Sequence, residues 1–296
     1  MIFVEEVFDP FYLFLLLTAI GDIVVERSGV LNLGIDGFIV FSIAFSYTAT
    51  IAYNSTTALL LVILCGLLIA SVLSFFINFL HSSHVLTGLV LNMIFYGLSA
   101  VIGDIGLDIA AERRIPRTLT SPLPLRWYYV VLITIAVSVI TWFLLYKTRI
   151  GTSIRACGFN PRAADHLGVK VWRTRYLALV IGYVLIALGG YTYTLFYKKS
   201  WSTYIGIGYG FLALALAMSS LWHPLIVIAP VAIFSYLLRS LYVFQLEYGI
   251  SQHILSMIPY IAAIAFVTTI TASPLGKRLA IPKALGEIYF REERAA

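Results

Sequence analysis

The sequence predicts an all-α fold, a polytopic membrane helix bundle of about nine spans, within a range of eight to ten. Hydrophobic residues make up 60% of the chain and charged residues 11%, with a mean hydropathy of +0.94. That balance is far from the usual one of a water-soluble globule. Apolar stretches of the length that crosses a bilayer, about 20 residues, also recur from Phe11 to Thr271. The length accommodates one such bundle, so residues 1–296 are read as a single transmembrane domain.

The expected helices are Phe11 to Val25, Ile35 to Tyr53, Thr57 to Leu80, Val85 to Ile102, Tyr128 to Tyr146, Tyr176 to Phe196, Tyr204 to Leu221, Leu225 to Phe244 and His253 to Thr271. The first run follows Glu5, Glu6 and Asp9 rather than positive charge, so it reads as a retained span and not a cleaved signal. Between Arg27 and Gly37 the glycines Gly29, Gly34 and Gly37 interrupt the apolar pattern, which marks either a loop or a broken helix.

Lysines and arginines orient the chain. The segment 148–175 and the Lys before it hold Lys147, Arg149, Arg155, Arg162, Lys170, Arg173 and Arg175, and the tail, 273–296, adds Lys277, Arg278, Lys283, Arg291 and Arg294. Both are expected in the cytoplasm of a multi-pass cell-membrane protein, and the four spans between them return the chain to the same side. The loop from Asp104 to Trp127, with Arg113, Arg114, Arg117 and Arg126, must then face outward, either as an ordinary structured loop or as an arginine site for an anion.

Segment 148–175 is punctuated for order. Asn160 and Pro161 form an N-cap and first-turn pair, and Gly168 suits the left-handed residue after a short helix over Pro161 to Leu167. Such a loop serves either to dock a partner, with Ala163, Ala164 and Leu167 as apolar contacts, or to lie on anionic lipid. No nucleic-acid partner is expected.

Polar groups at hydrocarbon depth are costly, so each is a functional candidate by default. Asp22 and Glu26 share a helix face, as do Asn32 and Asp36 if that stretch is helical. Glu26 and Arg27 are read as marking the water boundary, while Asn32 and Asp36 either shape a translocation path or, for Asp36, cap a helix start. Asn92, Tyr96, Tyr183, Tyr191 and Tyr193 are candidate cavity linings, the alternative for the tyrosines being interfacial anchoring. The small residues of Gly206 to Ser220 are assigned to packing. Cys65 and Cys157 lie in unlike settings that do not indicate a disulfide, and His81, His84 and His223 propose no metal.

At this point residues become recognisable. The run RACGFNPRAADHLGVKV, Arg155 to Val171, resembles the coupling loop of ATP-binding-cassette (ABC) importer permeases in the branched-chain amino acid, ribose and nucleoside group. Arg155, Ala156, Gly158, Asn160, Pro161, Ala163, Ala164, Gly168 and Val171 fit its pattern, with Val169 in place of isoleucine. ERSGVLNLGIDG, Glu26 to Gly37, looks like a second signature with Asp36 for the usual glutamate, and MIPYIAAI, Met257 to Ile264, and PKALGEIYFREER, Pro282 to Arg294, resemble two later ones. The match points to the shorter of two paired nucleoside permeases.

The resemblance implies a permease subunit whose coupling residues are Arg155, Gly158, Asn160, Pro161, Ala163, Ala164, Leu167 and Gly168. It implies cytoplasmic ABC ATPase subunits, a second and longer permease, and an external substrate-binding protein as partners. This chain has no G-x-x-x-x-G-K-[ST] phosphate loop, so no cofactor is expected in it; ATP and Mg belong to the partner ATPase. The expected cargo is a nucleoside, with a simple sugar as the alternative. Rival readings are an ion-coupled transporter using Asp22, Asp36 and Asp104, and an intramembrane enzyme, for which no acidic or metal-binding pair has suitable spacing.

Overall fold

The structure is a computed structural model that describes residues 7–121, 125–249, 251–273 and 281–290. Lys277, Arg278, Arg291 and Arg294 of the expected basic tail lie outside these residues. The described chain is helical, with α1 Pro10–Arg27, α2 Ile35–Ala52, α3 Ser55–Ser74, α4 His84–Glu112, α5 Trp127–Lys147, α6 Arg149–Phe159, α7 Pro161–His166, α8 Val171–Thr192, α9 Tyr209–Ser219, α10 Ile228–Tyr248 and α11 Gln252–Ala272. Short π-helical turns, Phe75–Phe79 and Tyr193–Lys198, extend α3 and α8.

Five of these segments are long and apolar enough to cross a membrane, namely Ile35–Ala52, Ser55–Phe79, His84–Glu112, Trp127–Lys147 and Val171–Lys198. Shorter apolar helices accompany them. The protein is therefore a multi-pass membrane bundle. Its starts follow local chemistry: Asp9 Oδ1 accepts from the Tyr12 N–H at 2.8 Å to cap α1, and Asn54 Oδ1 does the same for Thr57 to cap α3.

α1 and α8 form the centre. Along α1 nearly every residue is buried, and glycines let α8 lie against it: a Cβ on Gly21 would stand 2.6 Å from the Gly182 carbonyl oxygen, and one on Gly189 would stand 2.7 Å from Thr18 Oγ1. Close approach of this kind replaces the hydrophobic drive that helices lack in lipid. α2 packs on α4 and α8, and α3 packs on α8. The outward faces of α3, α4 and α5 are largely aliphatic, including Leu60, Leu64 and Leu68, then Met93 and Val101, then Leu132 and Ile140, as lipid contact demands.

Two elements differ from the sequence reading. α4 runs on to Glu112 instead of ending near Ile102: Gly106 lets it stay against α2, where Thr48 Oγ1 donates to the Ile102 carbonyl at 2.6 Å, and Gly103 makes room for the Trp201 ring. Asp104 and Asp108 are therefore helical. The segment expected as a helix from Tyr204 is instead irregular to Gly208, with positive φ at Tyr204, Gly206 and Gly208, and α9 has only 11 residues. At 1.5 Å per residue that is roughly 16 Å, about half of a hydrocarbon core.

We expect Gly182→Val to lower the thermal midpoint of the detergent-solubilised protein clearly, since overpacking costs about 1–3 kcal/mol and the neighbouring atoms are the Val25 side chain and the Gly21 backbone. Gly97→Val should leave it unchanged, because nothing lies within 4 Å of the added carbon. Fluorescence-detected size exclusion after heating reads both.

Candidate functional site

Two polar constellations stand inside the bundle. The first surrounds Asp36, in the first turn of α2. Its Oδ1 accepts from the Gly210 N–H at 2.6 Å and its Oδ2 from the Gly208 N–H at 3.0 Å. The Tyr96 hydroxyl also donates to Oδ2. A carboxylate on α2 thus caps α9 across space, meeting the two N–H groups that a helix starting inside a bilayer would leave bare. Asn92 continues the network, its Oδ1 accepting from the Gly37 N–H and its Nδ2 donating to Tyr96 at 3.3 Å. Behind Asp36, the Tyr183 hydroxyl donates to Asn32 Oδ1 at 2.7 Å and Asn32 Nδ2 donates to Asp22 Oδ1 at 3.0 Å.

The second constellation lies at the end of the bundle that carries α6 and α7. Arg27 is 4% exposed and donates from Nε to the Trp222 carbonyl at 2.8 Å and from Nη2 to the Leu221 carbonyl at 3.0 Å. The Trp222 indole N–H donates to Glu26 Oε2. Glu26 and Arg27, read from the sequence as marking the water boundary, have a further role at the end of α1: both are buried because they hold the turn that ends α9, where Leu221 and Trp222 take positive φ.

Three sequence segments meet beside this turn. The Ala284 N–H donates to the Gly158 carbonyl and the Gly286 N–H to the Gly29 carbonyl, each at 2.9 Å. Arg175 Nη2 donates to the Glu287 carbonyl at 3.1 Å. A side chain on Gly158 would collide with the Arg27 carbonyl, so the glycine there is required by contact. Cys157, Ala164 and Val171 form a small buried cluster with Tyr289 against it. Burial pushes the Cys157 thiol up to about 11.

Residues 11–279 match the family described as the branched-chain amino acid transport system permease component. The chain belongs to that permease family. It is 28% identical to the nucleoside ABC transporter permease protein NupC of Lactococcus lactis, with 94% of each chain covered, and 27% identical to the guanosine ABC transporter permease protein NupQ of Bacillus subtilis, over 95% of this chain and 94% of that one. A Haloferax volcanii protein named as a candidate glucose ABC transporter permease is 27% identical, with 94% of each chain covered. No solved structure matches the chain. The protein is a permease subunit of an ABC importer.

In this permease five of the six residues singled out for a translocation path fall in two hydrogen-bonded groups, Asp36 with Asn92 and Tyr96, and Asn32 with Tyr183 and Asp22; Tyr191 stands apart, donating to the Ser55 carbonyl at 2.9 Å. Asn32, Asp36 and Tyr183 are buried within the chain. In the coupling segment Asn160 Oδ1 accepts from the Ala163 N–H at 2.9 Å, and Gly168 takes φ +86° after α7. Arg155 donates from Nε to the Leu145 carbonyl at 3.0 Å. Pro161 and Ala164 face inward, while Ala163 and Leu167 face out, Leu167 at 85% exposure. Sequence reading missed Phe159, exposed beside Leu167, along with Trp222, Gly208, Gly210 and Tyr260. Their signals were the glycine spacing of Gly206 to Gly210 and the exposed tyrosine of the MIPY run.

Replacing Asp36 tests the cross-span cap. Asp36→Ala strands two backbone donors, at about 1–3 kcal/mol each, and should cut the thermal midpoint and abolish uptake by the assembled importer. Asp36→Asn keeps one acceptor and should fall between. A wild-type melting curve for Asp36→Ala would contradict the role.

Proposed function

We propose that the chain carries neutral nucleosides inward as one of two permeases, driven by cytoplasmic ATPase subunits that dock on α6 and α7. The reading is carried by the α6 and α7 unit. Its inner side packs on α1 and α8 and is bonded through Gly158 to Ala284, while its outer side presents Phe159, Ala163 and Leu167 around a capped turn. An exposed leucine and phenylalanine on a rigid, outward-facing helix pair are suited to enter a groove of a soluble partner. ATP hydrolysis is assigned to that partner, and a longer permease and an external binding protein complete the assembly.

In this reading the α6 and α7 end and residues 281–290 face the cytoplasm, and Arg113 to Arg117 face outward. The chain crosses nine times, the seventh crossing being made of residues 199–208 followed by α9. The names of NupC and NupQ support a nucleoside cargo, and the candidate glucose permease keeps a simple sugar as the second reading. The ion-coupled rival loses support from the geometry, because Asp36 is held by backbone donors and Asp104 lies exposed on α4, away from Asp22.

Leu167→Glu should weaken ATPase association by at least about tenfold while leaving the thermal midpoint intact, since the side chain touches little of its own chain; unaltered association and transport would remove α7 from the interface. Orientation is read from Leu167→Cys, which an impermeant thiol reagent should modify in inside-out vesicles and not in intact cells. Native Cys157 will not confuse the readout. Thiolate is the reactive form, and with the thiol raised to about 11 only about one molecule in a thousand carries it at pH 8. Cargo is decided by uptake of labelled uridine or adenosine into cells expressing the complete importer. Unlabelled nucleosides should compete, and competition by a pentose alone would transfer the assignment to sugars.

A further inference from the structure

Non-helical backbone at hydrocarbon depth is tolerated only where it is buried in protein or faces a water-filled cavity, because lipid offers no hydrogen-bond partners. Residues 202–208 violate the helical ladder with a succession of turns, and while Ile205 and Gly206 are buried, the rest of the chain leaves the other side of the turns open. Tyr204 is 78% exposed and Ile207 42% exposed. Their depth follows from α9, which starts at the Asp36 carboxylate and ends where Trp222 meets Arg27, so the turns enter the bundle about half a hydrocarbon thickness from that end. The exposed faces of α3, α4 and α5 are the opposite case: continuous helices with aliphatic side chains.

The turns border a cavity of about 400 Å³ lined in part by Tyr193, Tyr204, Tyr209, Pro259 and Tyr260, within the size range of small-molecule sites, roughly 300–1,000 Å³. The Tyr260 side chain is 46% exposed and its hydroxyl lies against Gly208, where a Cβ would collide with it. Lys198 is the one charged group among the described lining residues. Tyrosine rings offer faces for a planar ring and hydroxyls for sugar or base edges, and the lining holds no carboxylate and a single cation, which favours a neutral solute.

From this we infer that residues 202–211 together with Met257 to Ile264 form this chain's half of the solute path, with Tyr204 and Tyr260 contacting a neutral solute that carries a planar ring. The inference rests on the importer reading and names the site within it. The second permease closes the other side. The buried Asp36 network is then the support of the path wall and not its surface, and the glycines of Gly206 to Gly210 serve the break in the span as well as packing.

The test is made in the complete importer, with Cys65→Ala in every variant. Tyr204→Cys, Ile207→Cys and Tyr260→Cys are compared with Met93→Cys and Ile140→Cys on the aliphatic faces. A water-soluble thiosulfonate should modify the first three at least about tenfold faster, and saturating uridine or adenosine should slow it at Tyr204→Cys and Tyr260→Cys. Rates no higher than at Met93→Cys and Ile140→Cys, the result for a lipid-covered or helix-covered face, would overturn the path. Fast modification that no solute slows would overturn solute contact. Protection by a pentose or hexose in place of nucleosides would uphold the site and overturn the planar-ring solute, so loss of the cargo reading and loss of the site are separate results. Tyr260→Phe should retain uptake within about threefold and Tyr260→Ala should raise KM about tenfold or more; equal KM values for Tyr260→Ala and the parent would remove the ring contact.

Discussion

Every peptide group of this chain at hydrocarbon depth has to find its partner inside the protein, and one carboxylate answers that demand where the helical ladder stops. Asp36 holds the first N–H groups of α9 from the first turn of α2, so the span that begins at residue 199 can abandon helical geometry and resume it halfway. Tyr96 fills the remaining acceptor capacity and Asn92 braces Tyr96, which draws α4 into the same cluster. Gly37 and Gly210 let these residues come within reach of one another, since a Cβ on either would collide with Asn92 or with Asp36.

How much of this was legible beforehand depended on the range of the interaction. The long helices were readable because a bilayer sets their length, and the α7 turn was readable because Asn160, Pro161 and Gly168 act on backbone within a few residues of themselves. Asp36 shows the limit. The sequence places it at the start of a helix, where a carboxylate helps its own N-terminus, yet its oxygens serve residues 172 and 174 positions later. No local pattern encodes that pairing. The bonding role of Glu26 and Arg27 was hidden for the same reason, since their partners, Trp222 and the Leu221 carbonyl, lie at the far end of another helix.

The break before α9 was hidden by composition. Tyr204 to Leu221 is apolar throughout, and hydropathy counts side chains without regard to φ. Three glycines within Gly206 to Gly210 were compatible with close helix packing, and two of them take positive φ that a regular helix forbids. Backbone conformation, not contact, separates the alternatives: each of these glycines sits beneath a neighbour, Gly206 under Ile43, Gly208 under the Tyr260 hydroxyl and Gly210 against Asp36, but the positive φ of Gly206 and Gly208 breaks the helix and turns Ile207 outward.

α9 is fixed at both ends by different helices. Its last turn is bonded to Glu26 and Arg27 at the end of α1, and its first to Asp36 at the start of α2. Gly158 presses on the Arg27 carbonyl, so movement of α6 cannot be absorbed by slack at that contact; it is passed to the Arg27 to Gly29 segment and, through Trp222, to α9. In the importer reading this places an 11-residue strut between the face that meets the ATPase and the turns that meet the solute. In that reading the connection needs no long relay of side chains: one end of the short helix borders the turns, and the other reaches α6 through Arg27 alone.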